Sequence, residues 1–228
     1  MRLESLLRRL ATASAACCAL AAHSLGAQSC LGYPAFPTGP LNASIGGIVG
    51  SDFGGASADL NIGKRKGGPF GSVGVGAVHY VTDPKETRGS IGALAGWERY
   101  NKDQLIICPF VTASAERGTE VNRGTDGMQR TSGTVLGAGV GLGFELQARR
   151  RGLSYNPYIT GRYARVLTKI SGGTSDTTVT ENGAVVSFGL GVRFKDAIQV
   201  TPSFSAATFA GANLVFDLRV SLALEYKK

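Results

Sequence analysis

His79, followed by Tyr80 and then by Asp83, is the nearest this 228-residue chain comes to a catalytic set. An imidazole can take a proton from a serine when a carboxylate orients it, provided all three groups lie within hydrogen-bond reach. No serine motif marks a partner, and His79 is the only histidine beyond residue 27, so enzymatic activity is not expected. That shortage of imidazoles also leaves too few ligands for a metal site, and no cofactor is expected. The segment Gly137-Ala-Gly-Val-Gly-Leu-Gly143 superficially matches a dinucleotide fingerprint, but its glycines recur at every second residue and no strand-to-helix turn follows. Asn42-Ala43-Ser44 fits the glycosylation triplet, a match frequent by chance. Cys30 and Cys108 are an even pair; in an exported chain they favour a disulfide, with two free thiols as the alternative.

The charged residues are more informative, because they alternate with apolar ones. In Phe216–Lys228, Phe216, Leu218, Val220, Leu222, Leu224 and Tyr226 form one row, and Asp217, Arg219 and Glu225 stand on the other. This is the period of a β-strand. Ten segments read as strands: Leu41–Val49, Ala56–Gly63, Phe70–Val81, Gly89–Tyr100, Gln104–Glu116, Thr131–Gln147, Ser154–Ile170, Gly183–Phe194, Ile198–Thr208 and Leu214–Tyr226. Eight is the rival count if two short segments are loops or extensions of their neighbours. The polar rows carry mostly Gly, Ser and Thr, which fit a narrow lumen better than the outer face of a soluble sandwich. In this register Asp59, Glu98, Glu116, Glu145, Arg193, Asp217, Arg219 and Glu225 point inward, where buried charge calls for pairing. The seventh segment is ambiguous, with Tyr and Arg on both rows.

The N-terminus has the three parts of an export signal: Arg2, Arg8 and Arg9, then the apolar Leu10–Leu25, then small residues before Gln28. Residues 1–27 are therefore expected to be removed, leaving 28–40 as a periplasmic segment and 41–228 as the barrel. Loss of three arginines and one glutamate lowers the formal charge from +8 to +6. Nucleic acid is not the expected partner, since no aromatic platform is interleaved with the basic residues. The basic residues instead gather in short turns, including Lys64–Lys66 and Arg149–Arg151, while long polar connections such as 117–130 and 171–182 occupy the opposite rim. Short turns on one rim and long loops on the other are the habit of outer-membrane barrels with periplasmic termini. Trp97, Tyr100, Phe194 and Tyr226 lie at strand ends on the short-turn rim, where an aromatic girdle belongs.

The export signal, the Gly-rich alternating strands and the terminal Val-Ser-Leu-Ala-Leu-Glu-Tyr resemble small bacterial outer-membrane β-barrels of the OmpA-like or OmpW-like kind. The resemblance covers about Leu41 to Tyr226 and is architectural. It implies an all-β, closed, antiparallel up-and-down transmembrane barrel, monomeric, surrounded by outer-membrane lipid. It also implies periplasmic chaperones and the barrel-assembly machinery as partners during biogenesis, with Tyr226 as the terminal aromatic signal, here followed by Lys227 and Lys228. Three roles remain open: a structural, envelope-integrity or surface-interaction barrel; a narrow porin-like pore for small solutes; and a soluble periplasmic lipocalin-like lipid binder with its apolar rows inside. A Cys30–Cys108 bond would tie the N-terminal segment to the barrel mouth.

Overall fold

The computed structural model describes residues 29–32, 41–63, 67–82, 85–100, 105–122, 127–147, 152–172, 176–195, 197–209 and 214–224. The strands are β1 (Leu41–Val49), β2 (Phe53–Gly63), β3 (Gly68–Tyr80), β4 (Glu86–Tyr100) and β5 (Leu105–Asn122). They continue with β6 (Met128–Phe144, prolonged past Glu145 by Leu146–Gln147), β7 (Leu153–Ser171), β8 (Thr177–Phe194), β9 (Ile198–Ala207) and β10 (Val215–Ala223). Each strand pairs antiparallel with its neighbours in sequence. β1 also pairs with β10, from Asn42 opposite Ala223 to Val49 opposite Phe216, so the sheet closes on itself. The molecule is a ten-stranded up-and-down barrel. The eight-strand count fails because even the short β1 and β9 are laddered on both edges, the β9–β8 ladder skipping only Thr201 and Pro202.

Burial alternates residue by residue along the strands, and the apolar row faces outward. Ile45 is 65 % exposed and Ile91 63 %, whereas Asn61, Gln199 and Ser221 are fully buried. A lipocalin-like barrel needs the opposite arrangement, so the soluble lipid-binding reading is overturned. An outer wall of Ile, Val, Leu and Phe around a polar interior is the pattern that a hydrocarbon surrounding selects. Closure matters for the same reason, since a sheet edge in lipid would leave backbone groups without partners. At the short-turn rim Trp97 and Phe194 point outward from β4 and β8.

Two connections differ from the expectation. Residues 117–130 and 171–182 were expected as long loops, but β5 runs on to Asn122, β6 begins at Met128 and β8 begins at Thr177. These extensions are mostly polar, with only Val121, Met128 and Val179 apolar, so they carry no sustained hydrophobic alternation. Their ladders hold them as strands all the same, apart from a register shift between Arg117 and Glu120.

Candidate functional site: a plugged lumen

The interior is built in layers. Near the loop rim, the inward residues Ile48, Phe53, Val78, Val135, Val166, Val185, Phe209 and Val215 form one apolar cluster. A second lies near the short-turn rim, where Phe70, Leu94, Ile106, Cys108 and Phe110 surround two residues that belong to no strand, Cys30 and Leu31. Those two belong to a single 3-10 turn, Ser29–Leu31, which enters the lumen and packs against β5, β6 and β7. A disulfide between Cys30 and Cys108, 78 residues apart in sequence, anchors the turn. The N-terminal segment was expected at the barrel mouth; its cysteine is fully buried in the lumen instead.

The glycines of β6 explain how a peptide fits there. A Cβ on Gly141 would stand 2.6 Å from the Cys30 carbonyl oxygen and 2.7 Å from Leu31 Cδ2. Gly141 thus makes room for the turn, while Gly137 and Gly139 make room for Arg162, Thr112 and Phe110, so the alternating glycines serve lumen packing rather than a phosphate loop. Polar groups opposite complete the seat. Gln199 Nε2 donates to the Gly32 carbonyl at 2.8 Å and Thr201 Oγ1 donates to it at 3.0 Å, while Asn156 Nδ2 donates to Gln199 Oε1 at 3.2 Å. A buried backbone carbonyl left without such donors would be costly.

Between the two apolar clusters lies a charged and polar belt. Arg219 NH2 lies 3.2 Å from Asp217 Oδ2, and Arg219 Nε lies 3.8 Å from Asp59 Oδ2, so one guanidinium serves two carboxylates. Across the lumen Arg162 donates to Thr112 Oγ1 at 3.2 Å. Near the loop rim Arg88 bridges Glu86 at 2.8 Å and Glu116 at 3.0 Å, with its guanidinium 4.8 Å from the centre of the Tyr80 ring. Near the short-turn rim Arg193 meets Glu145 at 2.7 Å, and Glu98 is buried beside the disulfide. The structure therefore brings Asp59, Asp217 and Arg219 together, pairs Glu145 with Arg193, and joins Glu116 to an arginine outside the expected set. Glu225, Tyr226 and the signal segment lie outside the described residues.

Sequence reasoning missed Arg88, Glu86 and Arg162 as interior groups. Glu86 and Arg88 read as loop charges because they precede the apolar alternation of β4, and the double-sided pattern of β7 hid Arg162. His79 and Tyr80 fall on opposite faces of β3: the imidazole Nδ1 lies 2.9 Å from Thr87 Oγ1 on the exposed outer surface, while Tyr80 faces Phe53 inside. They form no joint site. Asn42 and Ser44 are buried, and Asn61 Nδ2 donates to both, so the glycosylation triplet is a structural hydrogen-bond set.

A closed transmembrane barrel whose lumen holds an inserted, covalently tethered turn is the class these observations define. The fold is that of outer-membrane β-barrels. The translocator domain of autotransporter NalP from Neisseria meningitidis superimposes with a TM-score of 0.56 at 13 % identity, over 82 % of this chain and 89 % of that one. The beta domain of the Bordetella autotransporter BrkA gives 0.55 at 10 % identity, over 82 % and 100 %. Neither a protein-family profile nor a curated protein matches the sequence.

Proposed function

We propose that this protein is an integral outer-membrane barrel with a structural or surface-interaction role, closed to solutes in its resting state and without enzymatic activity. The observation that carries the reading is the Cys30–Leu31 turn seated between Gly141 of β6 and the Gln199–Thr201 pair. A barrel of this strand number has a lumen that side chains nearly fill, and an inserted peptide occupies what the glycines leave open. On this reading the short turns and both termini face the periplasm. Planar-bilayer recording of the purified, oxidised barrel tests the reading, with gel mobility before and after boiling as the check on folding. A heat-modifiable protein that stays electrically silent is expected. Regular conductance steps from the oxidised protein would make it a pore.

A further inference from the structure

The outer wall is not uniformly large and apolar. On β4, β5 and β6 the outward positions Ala93, Ala95, Ala113 and Ala138 are small, and they floor a groove of about 570 Å³ walled by Tyr163 and Arg165. Ala93, Ala113, Leu136 and Arg165 lie opposite one another on successive strands. Arg165 lies one row inside the edge of the apolar belt: Ile91, Ala115 and Leu167 stand in the next row toward the loop rim, while its partner on β8 is Asn182 and the outward residues beyond, from Ala184 to Phe194, are all apolar.

Directly toward the loop rim the same face carries Arg117, Arg130 and Lys169 around a second depression of about 970 Å³. Arg117, Ser132 and Lys169 again share a row. Arg130 is paired with Glu120 and Lys169 with Asp176, both at 2.8 Å. Among the described residues Arg117 and Arg165 have no ion-pair partner, although both are exposed on the outer face. A guanidinium facing lipid is unfavourable unless an anion meets it, and the penalty grows with depth.

We propose that this face binds a phosphate-bearing lipid of the leaflet at the loop rim, with its phosphate on Arg117 and Arg165 and an acyl chain along the alanine groove. The site rests on the outer-membrane reading above. Charge and shape agree, since unpaired guanidinium forks suit phosphate oxygens and the small residues directly below leave room for a chain.

The test embeds the barrel in phosphatidylcholine bilayers doped with a minor fraction of lipid A, extracts it, and measures retained lipid by native mass spectrometry. Lipid A is expected to be retained in preference to phosphatidylcholine. R117Q and R165Q should each lower that retention about tenfold, the order expected for one charge-assisted hydrogen bond. Ala113→Leu, which fills the groove and leaves every charge in place, should lower it as well. Equal retention by all variants, or displacement by inorganic phosphate alone, would overturn the lipid site. An inserted, heat-modifiable barrel without lipid preference sinks only this inference, whereas a chain that never enters the bilayer sinks the membrane reading beneath it.

Discussion

The two ends of the lumen are packed by different means. At the loop end the seal is made by strand side chains and Phe209 next to β9, so ordering the barrel orders most of the seal. At the short-turn end it is a separate piece of chain, Ser29–Gly32, whose ordering carries its own entropic cost and which no ladder holds. The disulfide and the cap on the Gly32 carbonyl replace the missing ladder. A seal that belongs to the wall can be weakened but not withdrawn. A seal tethered at one cysteine can be withdrawn with the wall intact.

Removing the tether is therefore expected to have the largest effect. The double variant Cys30→Ser, Cys108→Ser reopens a closed loop of 78 residues' separation, for which chain entropy gives about 4.5 kcal/mol. The temperature at which the compact gel band disappears should fall, and bilayers holding the variant should show conductance steps that the oxidised parent lacks. A silent variant would mean that Gln199, Thr201 and the close packing at Gly141 hold the turn without the covalent bond. Next in size is Phe53→Ala at the other end. Phe53 is 4 % exposed and packs beside Tyr80 with ring centroids 5.9 Å apart. Its truncation should cost about 3 kcal/mol, the low end for a buried phenylalanine. That variant should nevertheless stay silent, because the tethered turn still closes the opposite end. Conductance from Phe53→Ala would erase the distinction between the two seals.

The difference between the ends also marks how far the sequence could be read. The wall was legible because lipid outside and small polar residues inside impose period two, and β1 runs from Leu41 to Val49 as the alternation required. The extensions of β5 and β8 were not, since their residues are mostly polar and carry no sustained apolar row. The wall-built seal was half legible, as Val135 and Val166 lie on rows without an obvious partner until register places them together. The inserted turn was illegible in position: two cysteines indicate a bond, but not whether the peptide lies across the mouth or inside it. The glycines of β6 held the missing information. Their alternation reads as a narrow lumen, and only the close approach of Cys30 and Leu31 to Gly141 shows that one of them makes room for another segment.

The smallest expected effect concerns charge outside the wall. Asp176 lies between β7 and β8 at the loop rim, and its carboxylate is held below its ordinary range by the hydrogen bond from Lys169, then by the Gly172 amide and the Lys169 charge. A carboxyl whose folded value is depressed adds stability above its unfolded value and loses it as pH falls through the folded one. The contact therefore contributes at neutral pH and disappears below the ordinary carboxylate range. Both side chains are more than half exposed, so salt should screen most of the effect. A carbon-detected titration of Asp176 in micelles should show a low midpoint that returns toward the ordinary value in Lys169→Met or in concentrated salt. The compact gel band should persist unchanged through all of these conditions, because neither the wall nor the tethered turn depends on this pair. If acid or salt opened the barrel at the same midpoint, the loop-rim charges would belong to the seal, and that end too would be closed by something that can be withdrawn.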